Sequence, residues 1–260
     1  MNVLDLFSGI GGFSLGLERA GMRTVAFCEI EPFCRRVLAK HWPHVPCYDD
    51  VRTLTADRLH ADGITVDVIC GGFPCQDISV AGRGAGLAGE RSGLWFEYAR
   101  LIGELRPRYV IVENVAALLS RGLAEVLGTL ASLGFDAEWH CIPASYVGAP
   151  HRRDRVWIVA YRDCARSPQP AWCKQDSGLG PVVGGEVLAY ADARHELGRG
   201  SALQMGWRGF AQEIALHGER ARTQWLAEPD VGRVAHGVPS RVDRLGGLGN
   251  AVVPQIPEAI

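Results

Sequence analysis

Cys75 lies in the run Gly71-Gly72-Phe73-Pro74-Cys75-Gln76, directly after the strand-length apolar run Val66 to Cys70. In open α/β sheets, ligand chemistry gathers at the carboxyl ends of strands. A thiol placed there, with a helix N-terminus or an arginine near enough to favour the thiolate, can act as a nucleophile. The glycine-rich stretch Asp77 to Gly89 has few anchoring side chains and suits a mobile lid. A buried, inert thiol is the alternative for any cysteine taken alone. Glu113-Asn114 ends the apolar run Tyr109 to Val112. A carboxylate at a strand end is not expected in the core, and it would face the same sheet edge as Cys75. Cysteine with glutamate is not a protease pair, because no orienting histidine is evident. The pair suits attack on a ring that must be hydrogen-bonded or protonated as the nucleophile adds.

A third group fits a small molecule. Asp5-Leu6-Phe7-Ser8-Gly9-Ile10-Gly11-Gly12 joins a strand to a helix, and its glycines let the backbone turn tightly and lie against a ligand. Glu29 follows at the end of the next strand, where a carboxylate accepts from both ribose hydroxyls of an adenosine. Ser14 occupies the place of the third glycine of G-x-G-x-x-G, which favours a cofactor without a pyrophosphate. Asp50, after a short strand, is placed to accept from an adenine amino group. Asp49-Asp50 ahead of Val51 also reads as a turn with a helix cap.

These groups need a sheet to hold them. Asn2 to Phe7 reads as a strand that breaks at the glycine turn and continues as a helix through Ala20. Thr24 to Cys28 is a strand, and Pro32 to His41 a helix with proline at its start. Further on come a strand at Val66 to Cys70, a helix at Leu94 to Leu105 and a strand at Tyr109 to Val112. A helix from Leu123 to Leu133 is closed by Gly134, and Arg155 to Tyr161 is a strand. Strands alternating with helices predict a doubly wound, Rossmann-like α/β sheet. From about Asp163 to Pro239 the chain is glycine-rich without clean periodicity, and Phe210 to His217 is a short helix candidate. Patterning returns from Arg241 to Ile260. The expected organisation is one large domain, 1–162 plus 240–260, with a small irregular insert at 163–239.

Composition narrows the classes. The chain has 260 residues, 47% of them apolar, enough for one large core. Apolar runs stay well below the ~20 residues of a membrane span, and no basic region precedes an apolar stretch at Met1. A cytoplasmic protein without membrane association is expected. Eight cysteines form no Cys-x-x-Cys pair and fit no zinc spacing, so no metal is expected. Cys28, Cys34, Cys47, Cys70 and Cys141 read as small buried hydrophobes. Residues 1–150 carry 13 basic and 17 acidic side chains, and residues 151–260 carry 14 and 12. The basic charge of the second part is nearly all arginine, the better partner for phosphates and base edges.

Six ordered signatures resemble those of the DNA cytosine-5 methyltransferases. Asp5 to Phe13 looks like the family's cofactor loop, and Gly72-Phe73-Pro74-Cys75-Gln76 like its nucleophile loop. Arg91-Ser92-Gly93-Leu94-Trp95, Glu113-Asn114-Val115, His151-Arg152-Arg153-Asp154-Arg155 and Gly249-Asn250-Ala251-Val252-Val253-Pro254 complete the set. They cover about 1–162 and 238–257. The resemblance implies that S-adenosylmethionine is held by Phe7, Ser8, Gly9, Ile10, Gly11, Gly12, Glu29, Ile30, Asp50, Val51, Gly72, Pro74, Leu94, Asn250 and Ala251, leaving as S-adenosylhomocysteine. It implies a catalytic set of Cys75, Glu113, Arg153 and Arg155. Cys75 would attack carbon 6 of a flipped-out cytosine, with Glu113 on the ring nitrogen and Arg155 on the ring carbonyl. Gln76, Ser79 and Arg91 would touch double-stranded DNA, and the insert would serve as the target-recognition domain. A monomer is implied, needing no cognate restriction endonuclease for activity.

The chain departs from the pattern in places. His151 replaces a glutamine, and Ile30 replaces an aromatic that some relatives carry against the adenine. A related branch methylates tRNA and carries a Cys-Phe-Thr motif in its insert, which this sequence lacks. A catalytically inactive DNA-binding regulator is disfavoured by the intact Cys75, Glu113 and Arg155. A nicotinamide oxidoreductase is disfavoured by Ser14 and the Pro-Cys loop.

Overall fold

The computed structural model describes residues 1–74, 93–162 and 241–260. Cys75, Gln76, Ser79, Arg91 and the insert at 163–239, with its helix candidate at Phe210 to His217, lie outside the described residues. A seven-stranded sheet runs in the order β3-β2-β1-β4-β5-β7-β6. Its strands are β1 (Asn2–Leu6), β2 (Arg23–Cys28), β3 (Cys47–Tyr48), β4 (Val68–Gly71), β5 (Tyr109–Val115), β6 (Phe135–Pro143) and β7 (Asp154–Arg162). β3, β2, β1, β4 and β5 pair in parallel, while β7 pairs antiparallel with both β5 and β6. Chain order reverses between β1 and β4, which opens a crevice at the carboxyl ends of those strands.

Both faces of the sheet are covered, so its central strands read as continuous apolar runs. Leu4, Leu6, Ile69, Val110, Val112, Val156 and Ile158 pack on one face against Leu59 of α3 (Ala56–Ala61), the Trp95–Ile102 face of α4 (Leu94–Leu105), Leu118 of α5 (Leu118–Arg121) and Val126 and Leu130 of α6 (Leu123–Ser132). Val3, Val68, Cys70, Ile111 and Trp157 face the other way. They meet Phe13 and Leu17 of α1 (Gly12–Arg19) and Ile256 of the last helix. Helix α2 (Pro32–His41) follows β2, and the described chain closes with α7 (Arg241–Asn250) and α8 (Gln255–Ala259).

Two glycines of α1 bring the last segment in. A Cβ on Gly12 would collide with the Val252 carbonyl, and one on Gly16 with the Pro254 carbonyl. Their bare Cα atoms let residues 252–258 lie directly on α1, where Arg19 and Glu258 also pair at 3.4 Å.

The structure alters several expectations. β6 was not anticipated: it is an edge strand with Asp136, His140 and Cys141 exposed, so its apolar alternation is broken. Cys141 is therefore exposed and Cys47 only half-buried, rather than both core. β5 continues to Val115, placing Glu113 and Asn114 inside the strand. Glu113 is correspondingly buried, at 9% exposure, because β7 covers it through Trp157 and Arg155.

Candidate active site

The turn after β1 is shaped by its backbone. Phe7, Gly9 and Gly11 all have left-handed φ, at 53°, 54° and 88°. The Ser8 hydroxyl donates to the Asp5 carbonyl at 2.6 Å, and the Gly11 N–H to the Ser8 carbonyl at 2.9 Å. Glu29, just past the end of the neighbouring strand β2, then fixes the loop. Its carboxylate accepts from the Gly9 N–H at 2.6 Å and from the Glu31 N–H at 2.8 Å. Ser14 is fully buried, and its hydroxyl donates to the Asp5 carboxylate at 2.7 Å. The residue in place of the third glycine thus supplies a partner to an acid under the turn. Burial nevertheless pushes the Asp5 carboxyl up to about 8, against the Ser14 hydrogen bond.

This turn forms one wall of a cavity of about 1050 Å³. Phe7, Gly9, Glu29, Ile30, Asp50, Val51, Gly72, Pro74, Leu94, Glu113, Arg153, Arg155 and Asn250 all line it. Ser8, Ile10, Gly11, Gly12 and Ala251 do not. Gly11 backs onto Trp42, which a Cβ would approach to 2.6 Å, and Ile10 faces Gly247 of α7. The Ala251 N–H donates to the Leu248 carbonyl at 3.3 Å. These residues carry the loop and helix ends while their neighbours face the space. Phe33, Glu97, Asn114 and Asp243 also line the cavity but were not anticipated. Phe33, Glu97 and Asp243 sit on helices, and only tertiary packing turns them inward. Asn114 had a signal, since it stands next to Glu113.

One end of the cavity holds Asp50, as part of an ion pair. Its carboxylate accepts from the Arg52 guanidinium at 2.7 Å and from the Arg52 N–H at 2.9 Å. The hydrogen bonds from Arg52 hold the Asp50 carboxyl below its ordinary value. The turn expected from Asp49-Asp50 is present too: the Asp50 carbonyl accepts from the Thr53 and Leu54 N–H groups.

The other end holds Glu113, whose carboxylate meets the Arg155 guanidinium at 3.0 Å. The antiparallel register sets Glu113 opposite Trp157 and Val115 opposite Arg155, so both charged groups reach the same cavity. Burial pushes the Glu113 carboxyl up, while Arg155 and Arg153 pull it down. Gly72 lies against it: a Cβ there would be 2.8 Å from Glu113 Oε2. Asn114 Nδ2 donates to the Phe73 carbonyl at 3.3 Å, tying the segment that leads to Cys75 to β5. Arg153, expected in the catalytic set with Glu113 and Arg155, lines the same cavity as they do, and its guanidinium donates to the Gly249 carbonyl at 2.6 Å.

The arrangement has two functional ends. One offers backbone and carboxylate acceptors around a glycine turn, as a nucleoside requires. The other offers a buried carboxyl held by a guanidinium, suited to a polar ring that changes charge. The cavity stands at the upper limit of the roughly 300–1000 Å³ typical of small-molecule sites, enough for a cofactor and one further ring. Among the described residues no cluster of three or more His, Cys, Asp or Glu side chains could hold a metal ion. No described helix is long and apolar enough to cross a membrane.

Residues 1–184 match the profile of the family described as C-5 cytosine-specific DNA methylase. The chain is 36% identical over 168 residues to the type II methyltransferase M2.BsuMI of Bacillus subtilis, covering 62% of this chain and 42% of that protein. Among solved structures it resembles a DNA modification methyltransferase encoded within an E. coli prophage, with TM-score 0.55 and 25% identity, over 70% of this chain and 52% of that one. The fold also matches DNMT2 of Spodoptera frugiperda, with TM-score 0.53 and 22% identity, over 68% of this chain and 53% of that one. The chain spans about half, or less, of the length of the curated relatives it matches.

Proposed function

The chain belongs to the C-5 cytosine-specific DNA methylase family, and from that premise we propose that it methylates carbon 5 of cytosine in double-stranded DNA. The observation that carries the proposal is that one cavity is lined both by the Glu29-braced glycine turn and by the Glu113–Arg155 pair. S-adenosylmethionine, when bound, supplies an electrophilic methyl group and leaves as S-adenosylhomocysteine. Phe7, Gly9, Glu29, Ile30, Asp50, Val51, Leu94 and Asn250 would hold it, Glu29 toward the ribose and Asp50 toward the adenine.

Each chain residue then has a distinct task. Cys75 adds to carbon 6 of a cytosine flipped out of the helix, since the stacked base is out of its reach. Glu113, whose carboxyl burial holds up, bonds the ring nitrogen and offers it a proton as charge develops. Arg155 orients Glu113 and contacts the ring carbonyl. Gly72 and Asn114 set the distance between the cysteine segment and that carboxyl. Carbon 5 takes the methyl and loses its proton to solvent, the ring nitrogen returns its proton to Glu113, and the carbon 6–sulfur bond breaks to restore the thiolate. Gln76, Ser79 and Arg91 are assigned to the DNA, and the insert at 163–239 to the choice of sequence.

DNA containing 5-fluorocytosine tests the proposal, because fluorine cannot leave carbon 5 as a proton does. Incubation with S-adenosylmethionine should yield a denaturation-resistant protein–DNA adduct that Cys75→Ala lacks. Bisulfite sequencing of a methylation-free host expressing the chain should show methylcytosine at a defined motif. An adduct that persists in Cys75→Ala, or transfer to a tRNA transcript but not to DNA, would refute the assignment.

A further inference from the structure

Arg153 has a role that the tasks above do not include, and the inference rests on the function just proposed. Its φ of 41° is a left-handed conformation sparsely populated by residues with a Cβ. There its guanidinium bonds not Glu113 but the Gly249 carbonyl of α7, at 2.6 Å. That carbonyl belongs to the last turn of a helix, where carbonyls lack intrahelical partners and a cation is favoured by the helix dipole. The next residue, Asn250, lines the cavity. Beyond it the chain is seated on Gly12 and Gly16 of α1. Two residues along from Arg153, Arg155 holds Glu113.

The electrostatics do not favour this placement. Burial, then the neighbouring Arg155 charge, lower the affinity of the Arg153 guanidinium for its proton, and Glu113 only partly opposes them. A second guanidinium beside an already paired carboxylate is therefore held there by something other than that carboxylate. The bond to Gly249 supplies the reason.

We propose that Arg153 is a positioning residue that clasps the end of α7, and with it the Asn250 wall of the cofactor site, to the segment leading into the strand that carries Arg155.

The whole chain serves for the test, as Arg153→Ala, Arg153→Asn, Arg153→Lys and Arg155→Ala. Calorimetry with S-adenosylmethionine alone gives affinity, and tritiated methyl transfer to plasmid DNA gives KM and kcat. Arg153→Ala should weaken S-adenosylmethionine tenfold or more and raise its KM in step, with a smaller fall in kcat than in Arg155→Ala. Arg155→Ala should lose kcat while its cofactor affinity stays within about twofold. Arg153→Asn should match Arg153→Ala, and it substitutes for it if alanine does not fold, since asparagine tolerates a left-handed backbone. Arg153→Lys, which keeps one charged donor, should recover part of the affinity. If the wild type binds S-adenosylmethionine and Arg153→Asn binds it as tightly, the clasp is refuted alone. The same follows if lysine recovers nothing. If the wild type binds none, the functional proposal is refuted and the clasp with it.

Discussion

Gly72→Ala is the sharpest perturbation available, because it adds one methyl group beside a carboxyl proposed to touch the substrate. The added Cβ would stand 2.8 Å from Glu113 Oε2, whereas ordinary contact begins near 3.4 Å. The carboxylate end must therefore move by about 0.6 Å, the difference between those distances. Gly72 has no left-handed φ, so alanine does not strain the backbone. The atom in the way is the far end of a side chain, so the fold should tolerate the change for about 1–3 kcal/mol. Chemistry should suffer more. The same displacement disturbs the 3.0 Å contact with Arg155, and a misplacement near 1 Å can cost ~10²-fold in rate. A fall of roughly tenfold to a hundredfold in single-turnover methyl transfer is expected, with the protein still folded by circular dichroism. The effect should be non-additive: in a Glu113→Ala background there is no carboxylate left to displace, and Gly72→Ala should cost little more. Transfer at the wild-type rate, or full additivity, would refute the reasoning.

Other perturbations probe the remaining parts. Glu113→Gln should lower single-turnover transfer by ~10²-fold or more while DNA affinity changes little, since an amide bonds but supplies no proton; equal turnover would make Glu113 merely structural. Glu29→Ala should weaken S-adenosylmethionine about tenfold or more by calorimetry, because it also releases the Gly9 and Glu31 N–H groups. Asp50→Ala should cost less, as Arg52 already engages that carboxylate, and the reverse order would misplace the cofactor. Asp5 titrates near 8 in the fold against 3.8 unfolded. Being raised, it favours the folded state fully below about pH 4 and loses that contribution as pH rises toward 8. Asp5→Asn should therefore gain stability over the wild type across that window. At pH 8 the gain should be at least about 1 kcal/mol, beneath a ceiling of roughly 1.4 kcal/mol per pH unit crossed. A difference in thermal midpoint that does not vary with pH would show that Asp5 is ionised in the fold.

Much of the strand–turn–helix frame could be read from local chemistry. β1, its glycine turn and α1 have apolar runs and breaks that no tertiary contact needs to supply, and Glu29 and Glu113 are carboxylates beside strand-length apolar runs. β6 could not be read, because an edge strand with one face half open loses its alternation. The antiparallel insertion of β7 between β5 and β6 leaves no local mark at all, yet it buries Glu113 and delivers Arg155 to it. Within the glycine turn, the motif does not say which members face the ligand space. Gly11 and Gly12 are needed for Trp42 and the Val252 carbonyl, constraints set by residues far along the chain. Arg153 shows the same limit, since its partner at Gly249 lies 96 positions away.

The seating of residues 252–258 on α1 also bears on the order in which the molecule is made. Gly12 and Gly16 are synthesised about 240 residues before the segment that covers them. At roughly 5–20 residues per second, that interval is on the order of ten to fifty seconds. Throughout it Phe13 and Leu17, joined later by Trp157, lack their cover from Ile256. Contacts so distant in sequence are slow to form because a long loop must close first. The nascent chain therefore carries an open apolar groove while its opposite face, built from nearer neighbours, can already be packed. Asn250 joins the cavity wall only with that last closure.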